Sequence, residues 1–260
     1  MEGVGLNKEI TLDLCREILA GDVGDGKVSS CLDDFIELFR SMDPSLKDKS
    51  IRDIYRGRTQ IVQHARAYLY LIKAFVVEKD LVSEDLLKKT HRILTRGIPL
   101  LSESKDVPGM PSEKYGGIYC TAVFDHVSSD SKTSESMSDQ MKGFCDTVNR
   151  EIGSAQSMCY IDPFSVASRF SLQFLRISPF LEYNGSMSRM IMNVILCRYV
   201  GLFLPIGEEE EGRMEYMEMM KRASRDVKCD ELYDAHGTDE EEDTGEGIAH
   251  EFLRQMNSLR

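Results

Sequence analysis

A chain of 260 residues with 42% hydrophobic content is long enough to bury one sizeable core. Its formal net charge of -12 sets it against nucleic acid, whose phosphates would be repelled by an acidic surface. Seven cysteines, an odd number with no CxxC pair and no zinc spacing, read as free thiols in a reducing compartment rather than as a disulfide framework.

Met1 to Asn7 lacks the basic-then-apolar pattern of a signal peptide and points to a cytoplasmic or nucleocytoplasmic protein, or one delivered by a route that uses no signal peptide. Thr11 is placed as the N-cap of a short helix that runs to Ala20, with Leu12, Cys15, Ile18 and Leu19 on one side. Gly21 to Gly26 is a loop without the Gly-Lys-Ser/Thr of a phosphate loop. A second helix spans Cys31 to Met42 and ends at Asp43-Pro44. From Lys49 to Lys79 a long amphipathic segment carries Ile61, Ala65, Tyr68, Leu69, Ile72 and Phe75 at helical spacing. Ser83 opens another helix, with Glu84 and Asp85 in its first turn and Gly97 as its stop.

Pro99 to Val127 has no helical period, and residues 115 to 124 (YGGIYCTAVF) are the one strand signal, read as a short hairpin. Ser128 to Ser138 is a polar low-complexity loop, after which a helix runs from Asp139 to about Ile152. Asp162-Pro163 supplies an N-cap and first-turn proline for a helix striped by Ala167, Phe170, Phe174 and Ile177. Gly185 to Phe203 is apolar on nearly every face, the mark of a buried central helix rather than of a membrane span, since Arg198 interrupts it. A helix over Glu215 to Ala223, an acidic linker and a last helix from Ile248 to Leu259 complete the chain. The runs Glu208 to Glu211 and Asp239 to Asp243 read as solvated segments. The class is therefore mainly α.

The chemistry lies between the two central helices, in Ser178-Pro179-Phe180-Leu181-Glu182-Tyr183-Asn184-Gly185-Ser186-Met187-Ser188-Arg189. A loop that opens into the N-terminus of a buried helix offers backbone amides and a helix dipole to an anion such as a phosphate. Asn184 and Gly185 tolerate the left-handed backbone that a nest of amides requires. Glu182 is the candidate ligand for a hard cation such as magnesium, and Arg189 the candidate partner of a phosphate oxygen.

This loop resembles the signature of the Fic (Fido) family, His-Pro-Phe-x-Asp/Glu-Gly-Asn-Gly-Arg-x-x-Arg, at Pro179, Phe180, Glu182, Asn184, Gly185 and Arg189. Ala167, Phe174 and Ile177 resemble the family's preceding helix, Met192-Asn193 through Gly201-Leu202 its later segment, and Leu87 to Gly97 its Leu-His-x-x-Leu helix. Pro108-Gly109 with Gly117-Ile118-Tyr119 resembles its substrate-binding flap. The resemblance covers roughly residues 60 to 225. It implies a helical bundle around a buried central helix with a small β-hairpin flap. The implied division is an N-terminal extension (1–48), a Fic-like core (49–227) and an acidic linker with a C-terminal helix (228–260).

The departures from that signature are as informative. The family's general base is Ser178 here, and a hydroxyl whose pKa lies far above neutrality does not take a proton usefully at pH 7. The first glycine of the nest is Tyr183, whose Cβ disfavours the tight backbone. The first phosphate-gripping arginine is Ser186, the histidine one turn earlier in the preceding helix is Ser171, and the flap arginine is Cys120. No Ser/Thr-x-x-x-Glu-Gly/Asn inhibitory motif is present, although Ile54-Tyr55-Arg56 lies where it would fall. The resemblance thus implies a pseudoenzyme. Such a protein would lack protein AMPylation and act by binding a partner protein, or a nucleotide such as ATP with Mg2+, through Glu182, Asn184, Gly185, Ser186 and Arg189, with flap residues Gly117, Tyr119 and Cys120. The alternative is a transferase of altered chemistry that uses a nucleotide or nucleotide-sugar donor. Among the histidines, His91 reads as structural and His64 as solvated. His126 is a stand-in base if the flap folds over the loop, and His236 and His250 carry no pattern.

Overall fold

The computed structural model describes residues 6, 8–20, 32–101, 109–120, 136–157, 162–205, 214, 216 and 218. Seven α-helices occur among them, and the strand content is confined to isolated bridge residues: Leu100 paired antiparallel with Met110, and Tyr119 and Phe180. The mainly α expectation holds. The chain divides into two compact units: Met1–Leu71 with Asp85–His126, and Ile72–Glu84 with Val127–Arg260.

The first unit contains α1 (Lys8–Leu19), α2 (Leu32–Met42), α3 (Ile51–Leu71) and all but the first residue of α4 (Glu84–Thr95). α1 begins three residues before Thr11, so Thr11 lies inside the helix rather than at its start. Ile10, Leu14, Ile36, Phe39, Leu46, Ile54 and Val62 form the core that joins α1, α2 and α3. Each of these aliphatic or aromatic side chains, removed from water, contributes roughly 1.5–3 kcal/mol. The turn after α2 is set by Asp43, whose carboxylate accepts the Ser45 amide at 3.0 Å ahead of Pro44. α4 stops at Thr95 and the chain leaves through Gly97 at φ 72, the left-handed exit that glycine permits.

Residues 109–120 return along α4. A short 3-10 turn over Ser112–Lys114 leads into Tyr115-Gly116-Gly117. Of the expected hairpin over 115–124, residues 115–117 form a turn, Tyr119 stands in a β-bridge, Cys120 is helical, and 121–124 lie outside the described residues. The turn is pinned instead of paired. The Gly116 amide donates to the Ser112 carbonyl at 2.7 Å, the Gly97 amide to Ser112 Oγ at 3.1 Å, and the Tyr115 hydroxyl to the Ile98 carbonyl at 2.5 Å. His91 is fully buried, and its Nδ1 accepts the Gly117 amide at 2.9 Å. A backbone amide can only donate, so Nδ1 is the unprotonated nitrogen of a neutral ring. The structural reading of His91 is correct. His64 is half-buried, with Nδ1 2.9 Å from the Gln60 carbonyl, rather than solvated.

The second unit begins with a π-helical turn over Ile72–Val77 and contains α5 (Met137–Ser157), α6 (Pro163–Ile177) and α7 (Asn184–Val200). α6 starts as its sequence dictates: Asp162 accepts the Phe164 amide at 3.1 Å and Pro163 occupies the first position. Phe144 of α5 meets Phe170 and Phe174 of α6 edge-on, at 6.0 and 5.8 Å between ring centroids, and Phe174 meets Phe180 at 6.3 Å. Such contacts add about 0.5–1.5 kcal/mol to the area they bury.

α7 is the central helix. Met187, Ser188 and every residue from Met190 to Leu196 are buried, as its all-round apolarity requires. Its C-terminal Arg198 stacks over Phe75 at 4.5 Å and donates to the Phe75 carbonyl at 3.0 Å, which satisfies a carbonyl of the π-turn. Three asparagines in this unit each hold the backbone N–H and C=O of one residue. Asn149 holds Val82 at 2.9 and 2.8 Å, Asn184 holds Phe180 at 3.0 and 2.6 Å, and Asn193 holds Leu204 at 2.6 and 3.2 Å. A side-chain amide imitates a strand neighbour, so segments without a ladder keep their backbone groups satisfied.

Candidate functional site

The loop between α6 and α7 is held in shape by two non-glycine residues in the left-handed region, Ser178 (φ 46, ψ 57) and Tyr183 (φ 62, ψ 14). Each costs about 1–2 kcal/mol relative to a residue without a Cβ. Ser178 ends α6: its amide donates to the Phe174 carbonyl at 3.0 Å and its hydroxyl turns back to donate to the Leu175 carbonyl. Tyr183 caps the start of α7 without a side-chain capping bond. The left-handed position expected at Asn184 or Gly185 therefore lies one residue earlier, because both of these already belong to the helix. The Cβ of Tyr183 did not prevent the tight backbone; the flanking anchors impose it. Those anchors are the buried Pro179 and Phe180 and the two bonds from Asn184 to Phe180.

The first helical bond of α7 runs from the Met187 amide to the Tyr183 carbonyl at 2.9 Å, so the amides of Asn184 and Gly185 stand outside the ladder at its positive end. Gly185 has no left-handed torsion, and a Cβ built on it would lie 3.6 Å from Arg189 Nη1, an ordinary contact. Arg189, one turn on, donates to Ser186 Oγ at 3.3 Å. The loop thus brings together the helix start, Ser186 and Arg189, with Glu182 exposed two residues before Asn184. The flap residues Gly117, Tyr119 and Cys120 belong to the other unit: Gly117 packs on α4, Tyr119 is buried under Lys88, and Cys120 is a half-buried free thiol. His126, His236 and His250 lie outside the described residues.

The side chains fit an anion better than a protein-held metal. Arg189 and the amides at the helix start suit a phosphate. No group of three or more His, Cys, Asp or Glu residues able to hold a metal occurs among the described residues. Glu182 alone matches the way magnesium is held by one carboxylate together with a ligand's phosphates. The amide of Asn184 is already engaged at both ends by Phe180, which gives it a structural duty that the sequence did not disclose.

A buried polar cluster lies behind Arg189. Ser188 donates to the Ser171 carbonyl at 2.8 Å, and the two hydroxyls are 2.7 Å apart. Ser188 has one proton and spends it on that carbonyl, so Ser171 donates to Ser188. Tyr216 is buried beside both serines. Burial pushes its phenol above the usual value of 10.0, while the positive charge of Arg189 and the two serines pull the other way. Ser188 and Tyr216 carry no motif. The only signal was a pair of small hydroxyls, Ser171 and Ser188, at otherwise apolar positions of two facing helices.

No family model and no curated protein matches this chain by sequence. Among solved structures it is similar to a Fic-domain-containing signalling protein from Bacteroides thetaiotaomicron, at 14% identity over 84% of this chain and 73% of that one, with a TM-score of 0.46. It is also similar to two forms of Fic-1 from C. elegans. One has 17% identity and a TM-score of 0.49, the other 16% and 0.44, each over 96% of this chain and 70% of that one. No helix among the described residues is long and apolar enough to cross a membrane.

Proposed function

We propose that this chain is a degenerate Fic-type protein that works by binding a partner protein or a nucleotide and does not transfer AMP. The observation that carries this reading is the state of the two loop residues nearest the chemistry. Ser178 stands where a general base is needed, and its hydroxyl donates into the helix that precedes it. Asn184 spends its amide on the backbone of Phe180. What the loop retains is a helix N-terminus and a guanidinium, which suit an anionic group, and neither can deprotonate a hydroxyl. The second reading, a transferase of altered chemistry with a nucleotide or nucleotide-sugar donor, draws on Glu182, which is exposed before that helix start with Arg189 one turn beyond it. The free thiols at Cys15, Cys120, Cys145 and Cys197 support a reducing, cytoplasmic setting for either.

Thermal unfolding with ATP, other nucleotides and nucleotide sugars, with and without magnesium, separates these readings. A bound ligand in large excess over its dissociation constant stabilises by about 1 kcal/mol or more. A shift that Arg189→Ala abolishes, with no labelled protein formed from ATP in a lysate, supports binding without transfer. Label that appears and vanishes in Glu182→Ala overturns it. Ser178→His alone is expected to give no brisk transfer, because Tyr183 and Ser186 also depart from the family's loop.

A further inference from the structure

We infer that residues 72–82 form a strap with two helical registers, held in one of them by Arg198 and Asn149. The observed register is π. The Glu78 amide donates to the Lys73 carbonyl, five residues back, at 2.9 Å. The Lys73 ammonium lies 3.7 Å from the Glu78 carboxylate across the same turn. The Asp80 amide reaches six residues back to the Ala74 carbonyl, also at 2.9 Å. That second bond closes over Lys79, which is left-handed at φ 60, a torsion that a residue with a Cβ adopts at a cost.

The α register is the alternative that the same residues offer. There each carbonyl takes the amide four residues on: Lys73 would take Val77, Ala74 would take Glu78, and Phe75 would take Lys79, with Lys79 right-handed and unstrained. Two side chains from other helices of the same unit stand against that change. Arg198 of α7 donates from Nη1 to the Phe75 carbonyl at 3.0 Å, the acceptor that the Lys79 amide would need. Its guanidinium stacks 4.5 Å over the Phe75 ring and lies 5.5 Å from the centre of the Tyr199 ring, and Phe75 is buried, so the donor is fixed in place. Farther on, Asn149 of α5 holds both backbone groups of Val82, at 2.9 and 2.8 Å, and fixes where the strap ends.

Val77 and Leu81 are each 69% exposed and are the large apolar side chains that the strap shows to solvent. Passing one residue through a helix turns everything beyond it by about 100° around the axis. The latch therefore decides which face of the strap a partner meets. Single π turns within α-helices recur at functional sites, where a register can be exchanged without unfolding the helix. The inference goes beyond the binding reading above and does not depend on it.

The test is amide hydrogen exchange followed by nuclear magnetic resonance, with the Lys79 Cα chemical shift as the report on its torsion. Arg198→Met keeps most of the stem and removes the guanidinium. It should speed exchange at Glu78 and Asp80 by about tenfold or more and move the Lys79 shift from a left-handed to a right-handed helical value. Phe170→Leu, which loosens the aromatic packing between α5 and α6, is the control and should alter exchange at both amides by less than about twofold. Lys79→Gly favours the left-handed torsion, so it should slow exchange at both amides by about twofold or more, in the native chain and in Arg198→Met alike. Unchanged exchange in Arg198→Met overturns the inference. So does equal acceleration in Phe170→Leu, which would make the effect one of global stability. Faster exchange with the Lys79 shift at a disordered value would mean a strap that frays, with no second register, and overturns it too. Urea unfolding of each variant establishes that it folds. Should Arg198→Met fail to fold, Lys79→Gly in the native chain decides: exchange at Glu78 and Asp80 that is not slowed overturns the strained latch.

Discussion

Two turns in this molecule solve the same problem with opposite materials. Each brings the chain back against a helix and needs a left-handed residue. In the first unit the turn on α4 places Gly117 at φ 71, where a Cβ would meet the Lys88 carbonyl at 2.5 Å. In the second unit, the loop from α6 into α7 uses Ser178 and Tyr183, both with side chains and both left-handed. Glycine is obligatory where backbone blocks the Cβ. Where the surroundings are open, a larger residue can be forced into the same torsion by its anchors, at an energetic cost that persists in the folded state. The first turn is a packing necessity, whereas the second holds strain beside a helix N-terminus.

The largest effect that would break this contrast belongs to Gly117. Gly117→Ala adds left-handed strain to a collision with a backbone atom that cannot rotate away, and it threatens the bond from its amide to His91. A loss of about 3 kcal/mol by urea unfolding is expected. A loss below about 1 kcal/mol would mean that the turn lifts freely from α4 and that glycine is a convenience there too.

The two units also differ in how they satisfy buried polar groups. His91 meets a backbone amide directly, while Ser171 and Ser188 satisfy each other with Tyr216 buried beside them. Tyr216→Phe should cost at most about 1 kcal/mol at neutral pH, the upper worth of one net hydrogen bond. It should also change the alkaline limb of stability. The folded-state phenol is raised above 10.0, so between that value and its folded value the native chain holds a proton that the unfolded chain has lost. Stability is then fully present below about pH 10 and falls as pH rises through the folded value. In Tyr216→Phe that part of the alkaline decline should be absent from urea midpoints measured between about pH 8 and 11. Parallel curves for the two proteins would place Tyr216 in contact with solvent.

Much of this was legible beforehand, and the boundary of legibility is physical. Helices with an apolar stripe or an all-round apolar surface announce themselves, because burial depends on spacing alone: Phe170 and Phe174 faced the core as their period required, and so did Met187 to Leu196 apart from Arg189. Asp162-Pro163 and Gly97 marked helix ends by local chemistry that needs no partner. The torsion of Tyr183 was not legible, since tertiary anchors overrode the intrinsic preference of a residue with a Cβ. Nor was the duty of Asn184, since its partner is a backbone that presents no side-chain code. At Gly116 and Gly117 the strand signal misled for a related reason: aromatic residues between glycines suit a strand, but His91 and Ser112 supply the bonds that a partner strand would have given there.

Tyr183 offers the finest test of the comparison because two opposed terms nearly cancel there. Replacing it with glycine removes a left-handed penalty of about 1–2 kcal/mol. It also gives the unfolded chain extra freedom, which costs the folded state about 0.5–1 kcal/mol. If strain is what distinguishes this loop, Tyr183→Gly stabilises by about 0.5–1 kcal/mol in urea, the difference of the two terms. Because Gly185 is already helical and its Cβ would make only an ordinary contact with Arg189, Gly185→Ala is the control: no strain is relieved, and helix propensity alone adds up to about 1 kcal/mol. If Tyr183→Gly destabilises instead, the ring of Tyr183 contributes more by packing than its backbone loses. The contrast with Gly117 would then be one of side-chain contacts rather than of strain tolerated beside an anion-attracting helix start.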